Sequence, residues 1–575
     1  MFNIMQKKRD GLASIIKIKS DIARFTLPDF FTTNSNSPFP ELLDGRIIEI
    51  VSDNNSDEIY RNQVSSNYQG LKFNVTPFMR ISAHTPENLA SKIIKKNFES
   101  DYPDKDKATL YFTIHKSLWR TQLEYVYQAD YPMVWIENVS ELRGLEKIEA
   151  LILLKEIIPD TVVLASGYRA IEIPFLIYAG IHGFDICYFI SELLNSDMFP
   201  FIMPKITDNN NISQPDISDL YEKADGFMYG IREAIEKKRL RNIVEIFATA
   251  DIENMRLLRI WDRVAEPSYC SLSFTGSVDY IATESIDRPE IRVWANRLKT
   301  RYIPPPLPVL LLLPCSAKKP YSESKTHKGI RKAISIRQWL HEIIVTSPLG
   351  IVPRELETIS PAINYDTVVT GEWRYEEISL SKHLLEDIIE KSEYRYIISY
   401  LSGGYIDIIE QLRESGYNII NFDSLEKLGK YLDTLETEFD KNLRLPRFSE
   451  YKAEAMLRFI YGVSVKNIYL YKNRLYIGDE IAFKINNDYH LIPMKKGASI
   501  LAENHKYCVE LANFKVMNNI FASGIIQADE DIHPDDTVIL IKNNSVIGWG
   551  KAMMTGKEMV RARRGLAVRV GEIYG

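Results

Sequence analysis

The chain has 575 residues, of which 45% are hydrophobic and 26% are charged, and its formal net charge at pH 7 is −6. This length exceeds what one hydrophobic core normally serves, so we expect three or four folded domains. The small negative charge excludes a uniformly basic surface, and any nucleic-acid-binding surface must therefore be a local patch.

The sequence gives no indication of a membrane span or of secretion. The apolar run Leu307 to Pro314 has only the length of a strand. The first residues, MFNIMQKKRDGLAS, lack the apolar core and cleavage site of a signal peptide. No C-x-x-C pair occurs among the four cysteines, which argues against a disulfide framework and a zinc knuckle; they are Cys187, Cys270, Cys315 and Cys508. We expect a cytoplasmic protein.

The first 300 residues alternate short apolar runs with helical periodicity. Four runs read as strands: Ala108 to Ile114, Met133 to Glu137, Thr161 to Ala165 and Gly183 to Phe189. Between them, Glu141 to Ile158 has the apolar spacing of a helix. Strands that alternate with helices predict a parallel sheet, either open or closed into a barrel.

A proline cluster at residues 304–306 and 308 marks a predicted domain boundary, and a second α/β unit follows it. Its strands are predicted near Val309 to Leu313, Thr367 to Thr370 and Tyr396 to Leu401. Its helices are predicted at Ile330 to Ile344, Ser381 to Lys391 and Tyr405 to Ser415.

From about Arg444 the pattern changes to a short helix, Lys452 to Gly462, followed by small β elements. Closely spaced short strands from Lys506 to Tyr574 then predict a compact β-rich module. We therefore divide the chain into four domains, with boundaries at residues 1–300, 301–440, 441–505 and 506–575.

The loop after the second unit's first strand combines a thiol with positive charge. Leu310 to Leu313 is the continuous apolar run of a central parallel strand, and Pro314 ends it. Cys315 then lies at a carboxyl strand end, where α/β domains bind ligands. The nearby Lys318 and Lys319 would favour a thiolate nucleophile. A buried thiol beside ordinary surface lysines is an equal alternative.

Three further polar segments are predicted to be loops at strand ends: TSPLGIVPRELE at 346–357, PAINYDTVVTGEWRYEE at 361–377 and LSGGY at 401–405. Together they predict a pocket with several ionisable groups. Arg354 and Glu357 fit a surface ion pair equally well.

The C-terminal stretch from Ala522 to Val570 resembles a PUA domain, a small β-barrel that binds structured RNA. The resemblance rests on Gly524, the HPDD segment 533–536, the turn at Asn543-Asn544 and the segment 548–552. Between Lys551 and Val570, basic residues are concentrated against one acid, Glu558; they are Lys551, Lys557, Arg561, Arg563, Arg564 and Arg569. We predict that they bind RNA, with a merely solvated helix face as the alternative.

The segment YAGIHGFDICYFI at 178–190 resembles the tRNA-guanine transglycosylases, and this implies a TIM-like (β/α)8 barrel over about residues 20 to 300. Gly183-Phe184-Asp185 matches part of the family's motif, but Tyr188 stands where its aspartate nucleophile should be. The family's zinc-binding cysteines are absent, and base exchange is therefore not expected. Local hydrogen bonds at a strand end are the favoured explanation for Asp185.

PCSAKKPYSESKTH, TSPLGIVPRELE and PAINYDTVVTGEW together resemble the core domain of the archaeosine synthases. The domain order also fits: transglycosylase-like barrel, α/β core, small α+β linker domain, then PUA. The resemblance implies a tRNA substrate that carries 7-cyano-7-deazaguanine (preQ0) at position 15 in the D-loop. Free lysine would add to the nitrile through its side-chain amine, and a radical S-adenosylmethionine partner protein would cleave the adduct. No cofactor is implied, and a homodimer is compatible.

The core domain offers candidate residues for each role in this reaction. Cys315 either attacks the nitrile to form a thioimidate or shapes the pocket while lysine attacks directly. Asp366 is the candidate proton carrier, with His327 in reserve. Arg354 suits the lysine carboxylate and Glu372 its α-ammonium. Further substrate contacts are expected from Ser316, Lys318, Lys319, Tyr321 and Ser324. The alternatives are a non-catalytic tRNA-binding subunit and, less in keeping with the residues, an active transglycosylase.

Overall fold

The computed structural model describes residues 3–19, 24–32, 48–52, 72–75, 81–82, 84–99, 108–195, 217–265, 267–273, 276–335, 337–367, 371–436, 438–439 and 445–574. Within these ranges no helix is long and apolar enough to cross a membrane. The chain forms two compact units. The first comprises Met1–Ala265, Asn519–Ile525 and Lys557–Ala567, and the second comprises Glu266–Asn518, Ile526–Gly556 and Val568–Gly575.

The first unit contains a three-stranded antiparallel sheet and a closed parallel barrel. The sheet is formed by β1 (Asn3–Asp10), β2 (Ala13–Lys19) and β3 (Arg24–Leu27). The barrel strands are β4 (Asp29–Thr32), β5 (Ile48–Ser52), β6 (Lys72–Val75), β7 (Ala108–Thr113), β8 (Met133–Glu137), β9 (Val162–Ala165) and β10 (Gly183–Asp185). Because β10 pairs with both β9 and β4, the ring closes, and among the residues that the structure describes it has seven strands, whereas a (β/α)8 barrel has eight.

The helices of this unit are α1 (Glu87–Glu99), α2 (Trp119–Ala129), α3 (Gly144–Ile157), α4 (Ile173–Tyr178), α5 (Ile186–Asn195), α6 (Ile217–Glu236), α7 (Leu240–Thr249) and α8 (Ile252–Val264). The predicted helix Glu141 to Ile158 is confirmed as α3. The predicted strand Gly183 to Phe189 is wrong after Asp185, because Asp185 accepts a hydrogen bond from the Cys187 backbone N–H at 3.1 Å and α5 begins there.

The second unit begins with β11 (Val278–Tyr280) and α9 (Pro289–Thr300). The elements that follow are β12 (Val309–Pro314), α10 (Lys325–Ile334), β13 (Leu340–Thr346), β14 (Gly350–Pro353), β15 (Tyr365–Thr367), α11 (Tyr375–Glu390), β16 (Tyr396–Ser399), α12 (Ile406–Glu414), β17 (Ile419–Asn421) and α13 (Leu425–Glu436). Five strands form a sheet in the order β14-β13-β12-β16-β17, in which only β14 runs antiparallel. The central strand β12 is buried from Val309 to Leu313, as predicted.

One predicted helix of this unit is wrong. The helix Ile330 to Ile344 ends at Ile334, because Ser335 has a φ of 56° that does not continue a helix, and the β-branched run that follows forms β13. Of the strand predicted at Thr367 to Thr370, Thr367 belongs to β15, which pairs with β11 outside the central sheet. Residues 368–370 of that prediction lie outside the described residues.

The remainder holds α14 (Phe448–Tyr461), β18 (Ile468–Tyr471), β19 (Arg474–Ile477), β20 (Glu480–Ile485), β21 (Leu491–Pro493) and α15 (Lys495–Glu503). The terminal elements are β22 (Cys508–Leu511), β23 (Asn519–Phe521), β24 (Ile525–Ala528), β25 (Thr537–Lys542), β26 (Ser545–Ala552), α16 (Gly556–Arg561) and β27 (Leu566–Ile573). The predicted turn at Asn543-Asn544 is confirmed, since both residues have positive φ. The four predicted domain boundaries stay a prediction. The main segment of the first unit ends at Ala265, whereas the predicted barrel domain extends to residue 300.

Candidate active site

Cys315 lies at the point where the order of strands in the central sheet reverses. From β12 the chain passes to β13 on one side, and it later returns to place β16 on the other side. The loops after β12 and β16 therefore diverge at the carboxyl ends of these strands, and we call the region between them the crevice, since this is where open α/β sheets bind ligands. Cys315 follows β12 directly, and Tyr405 follows β16 after Gly403-Gly404.

The Tyr405 hydroxyl contacts Cys315 twice. Its oxygen lies 3.1 Å from the Cys315 Sγ and 3.4 Å from the Cys315 backbone nitrogen. Because the backbone N–H can only donate, the hydroxyl oxygen accepts from it and is left with its own proton to donate towards Sγ. Burial, and next to it the Cys315 thiol, raise the pKa of Tyr405, so the phenol keeps this proton at neutral pH.

An aromatic side chain supports Tyr405. The Trp373 ring centroid is 4.8 Å from that of Tyr405. A Cβ at Gly404 would lie 2.6 Å from the Gly371 carbonyl oxygen and 2.7 Å from the Trp373 ring. Only glycine therefore allows the loop after β16 to approach this closely.

The base of the crevice is a set of buried hydroxyls. The hydroxyls of Tyr321 and Tyr365 lie 2.6 Å apart, and Thr346 Oγ1 also bonds to Tyr365. The Lys319 ammonium lies 3.9 Å from the centre of the Tyr365 ring. Burial lowers the pKa of Lys319, while Cys315 and the exposed Asp366 act in the opposite direction. Lys319 is therefore within electrostatic range of both groups.

His327 and Arg354 form an internal support instead of facing the crevice. Arg354 is buried and donates to Glu342 at 2.7 Å, to Glu357 at 2.9 Å and to the His327 Nδ1 at 2.7 Å. A guanidinium can only donate, so Nδ1 is the acceptor and the His327 proton resides on Nε2. Nε2 donates it to the Pro314 carbonyl at 3.0 Å. Burial, then Arg354, lower the pKa of His327 to about 4, which keeps it neutral.

Three residues with predicted site roles have structural contacts here, and their site roles stay predictions. Both nitrogens of His327 are engaged, which argues against a proton carrier. The Arg354 guanidinium is paired with two carboxylates, which argues against a contact with a substrate carboxylate. Ser324 caps α10, where its hydroxyl accepts from the His327 backbone N–H at 3.1 Å.

The structure places the other predicted residues at or near the crevice. Ser316 donates to the Lys318 carbonyl at 3.2 Å, and Lys318 pairs with Glu323 at 3.6 Å in an exposed position. Glu372 is exposed directly before Trp373. Sequence reasoning missed Tyr405, Tyr365, Thr346 and Trp373. The segment LSGGY could have indicated Tyr405, because this tyrosine follows the end of a predicted strand.

Three of the predicted RNA-binding arginines contact acids in the first unit. Arg561 donates to Glu124 at 3.0 Å, Arg563 pairs with Asp130 at 3.4 Å, and Arg564 pairs with Asp130 at 2.9 Å. The guanidinium groups of Arg561 and Arg563 lie 3.7 and 4.1 Å from the centre of the Tyr127 ring. These arginines pack against α2 and the residue that follows it, and their RNA-binding role stays a prediction.

Lys551 and Arg569 are opposite each other on β26 and β27. Arg569 is exposed, and Lys551 is paired with Asp535 at 3.0 Å within the same domain. Lys557 is also exposed, on α16. RNA binding by these three residues stays a prediction.

Tyr188 stands where the transglycosylase motif has its aspartate nucleophile, and a tyrosine has no carboxylate. Asp185 ends β10, is buried, and uses its carboxylate to accept from the Cys187 N–H. Tyr188 is 37% exposed on α5. Across the part of the chain that the structure describes, there is no group of three or more His, Cys, Asp or Glu residues arranged to hold a metal ion.

Two family models match the chain. The model described as a domain of unknown function, DUF5591, matches residues 291–430, which include the crevice. The PUA domain model matches residues 509–574 and confirms the predicted C-terminal PUA domain.

Several curated proteins are similar over long stretches. Archaeosine synthase subunit alpha of Thermococcus kodakarensis is 29% identical over 532 residues, which cover 87% of this chain and 90% of that protein. The protein of the same name in Thermoplasma acidophilum is 30% identical over 420 residues, covering 69% and 79%. The tRNA-guanine(15) transglycosylase of Methanocaldococcus jannaschii is 26% identical over 318 residues, covering 51% and 42%.

Titration of His327 should be visible in the stability of the protein. Its pKa is about 4 in the folded chain and 6.5 ordinarily, so between these values the unfolded chain binds the extra proton. Stability should therefore fall with pH from 6.5 to 4, by up to about 3 kcal/mol from this group. Urea unfolding at pH 7 and pH 4, for wild type and His327→Asn, measures it. Equal losses in both proteins would contradict it.

The two basic clusters should differ in their effect on RNA affinity. For a tRNA transcript, Lys551→Ala/Arg569→Ala should reduce the slope of log affinity against log salt by up to about 2, one unit per phosphate contact. Arg563→Ala/Arg564→Ala, of equal charge change, should leave the slope unchanged. Titrations at four salt concentrations measure both, and the reverse order would return the RNA role to the arginines.

Proposed function

The chain belongs to the archaeosine synthase family, and we propose that it adds the side-chain amine of free lysine to the nitrile of preQ0 in the D-loop of a tRNA. Its relatives and its PUA domain support an enzyme of archaeosine biosynthesis that modifies tRNA. The lysine chemistry rests on the crevice, and above all on the Cys315 thiol that lies 3.1 Å from the Tyr405 hydroxyl.

The first step is addition of Cys315 to the nitrile carbon. The nitrile is an electrophile that reacts slowly unless charge on its nitrogen is stabilised as the new bond forms. Sγ forms a bond to carbon, one C–N π bond breaks, and the nitrogen takes up a proton, which gives a neutral thioimidate. Tyr405 donates a hydrogen bond to Sγ beforehand, and we assign it as the donor of the proton that the nitrile nitrogen takes up. We assign Lys319, whose pKa is lowered by burial, as the group that receives the thiol proton and returns a proton to Tyr405.

The second step is displacement of Cys315 by lysine. A lysine amine is mostly protonated at neutral pH, so it must lose a proton before it attacks. Asp366 is exposed at the crevice beside Lys319 and is the proposed acceptor. The amine forms a C–N bond, the C–S bond breaks, and the thiol recovers a proton. The product is an amidine that joins the lysine side chain to the 7-deazaguanine, and Cys315 is regenerated.

The amidine product defines the next reaction. Archaeosine retains only one nitrogen of the lysine, so a carbon–nitrogen bond of the adduct must be cleaved. We propose that a radical S-adenosylmethionine partner protein performs this step. Glu372, exposed beside Trp373, is the proposed contact for the α-ammonium of lysine.

The roles of Cys315 and Tyr405 predict a graded loss of activity. Incorporation of labelled lysine into preQ0-containing tRNA should fall at least about 10³-fold in Cys315→Ala, since an essential nucleophile is removed. Tyr405→Phe should lose about 10²-fold, the lower range for one proton donor.

The matched control is Cys187→Ser, which replaces an exposed thiol of the first unit and should keep wild-type turnover. Near-normal turnover of Cys315→Ala would rule out the thioimidate and leave direct attack by lysine. Absence of any adduct with wild-type protein would favour a non-catalytic tRNA-binding subunit.

A further inference from the structure

One face of the four-stranded sheet formed by β18 to β21 carries tyrosines and basic residues that the proposed chemistry does not use. We name it the tyrosine face. Its members are Tyr469, Tyr471, Arg474, Tyr476 and Lys484. They lie in the small domain between the core and the PUA domain, within the second unit.

Strand register places these side chains on one side of the sheet. Tyr469 is opposite Tyr476, Tyr471 is opposite Arg474, and Arg474 is opposite Lys484 on the next strand. Directly opposite residues in antiparallel strands point to the same face. The alternate positions point to the other face, where Leu475 and Phe483 are fully buried. The hydrophobic core therefore fixes the register and leaves the tyrosines outside.

The ring geometry suits stacking. Tyr469 and Tyr476 have ring centroids 5.1 Å apart and planes only 6° apart, so the two rings are stacked on each other across the neighbouring strands. Tyr471 is 55% exposed beside them. Lys472 and Asn473 form the two-residue turn, both with positive φ, and the Lys472 ammonium lies 5.2 Å from the centre of the Tyr471 ring.

The side chains around these tyrosines are positively charged and exposed to solvent. Lys472, Arg474 and Lys484 are exposed. None of them forms an ion pair with a carboxylate among the residues described. The contrast with Arg561, Arg563 and Arg564 is direct, since acids of the first unit already engage those side chains.

We propose that the tyrosine face binds unpaired nucleotides of the tRNA substrate, with bases stacked on the tyrosines and phosphates on Lys472, Arg474 and Lys484. Aromatic platforms bordered by basic side chains are how sheet proteins hold single-stranded RNA, because every base has a π face. A duplex hides its bases and would gain only the charge contacts. This inference rests on the proposed function for the identity of the RNA, and it adds a binding surface separate from the reacting residues.

The test is the affinity of the full chain for a fluorescent eight-nucleotide single-stranded RNA of mixed sequence, compared with a blunt eight-base-pair RNA duplex. Tyr469→Ala/Tyr471→Ala/Tyr476→Ala should weaken single-strand binding by about tenfold or more, since each stacked base contributes substantially. Tyr469→Phe/Tyr471→Phe/Tyr476→Phe should stay within about twofold of wild type, because the rings remain. Duplex affinity should not change in either variant.

Tyr471→Ala alone, at the most exposed position, is expected to lose about fivefold and guards against misfolding of the triple variant. Tyr229→Ala is the matched control, an exposed tyrosine of the first unit that should have no effect. Unchanged single-strand affinity in Tyr471→Ala and in a folded triple alanine variant would overturn the proposal. Equal losses for single strand and duplex, or an equal loss in the phenylalanine variant, would do the same. The probe contains no preQ0, so failure of lysine addition would leave this result intact.

Discussion

The contact between the Tyr405 hydroxyl and the Cys315 sulfur depends on the order of strands in the central sheet. It exists because β12 and β16 are parallel neighbours, and the loops that follow them meet at one edge. The buried leucines of β12 fix the position of this edge. Burial then keeps the Tyr405 phenol protonated, so one hydroxyl both holds the Cys315 backbone and donates to its thiol. The sheet thus supplies a preorganised donor at the site of reaction.

Behind this contact lies a buried ionic support. Arg354, Glu342, Glu357 and His327 are connected through hydrogen bonds that end at the Pro314 carbonyl, the residue before Cys315. A buried ion network of this kind adds little net stability, because desolvation offsets much of the attraction. Its value here is geometric, since it fixes the tautomer of His327 and the end of β12. Arg354, predicted as a substrate ligand, and His327, predicted as the reserve proton carrier, therefore both belong to the network behind the strand end.

The sequence predicts the structure well where a local residue pattern has only one structural interpretation. The run Val309 to Leu313 predicts a buried strand, and a reactive residue after it follows from the α/β rule. The partner Tyr405 lies 90 residues away, and only strand order brings it to Cys315. Likewise, the arginines of α16 and the loop after it have the composition of an RNA contact. Their acidic partners Glu124 and Asp130 lie more than 430 residues earlier, beyond any local pattern.

The proposed mechanism requires a covalent bond between Cys315 and the nitrile carbon. Intact-protein mass spectrometry detects this bond in the full chain, after incubation with preQ0-containing tRNA in the absence of lysine and treatment with nuclease. We expect an added mass equal to the modified nucleotide, mapped to the peptide of Cys315 and lost when lysine is supplied. Full turnover with no such adduct, even in samples quenched within a single turnover, would contradict it.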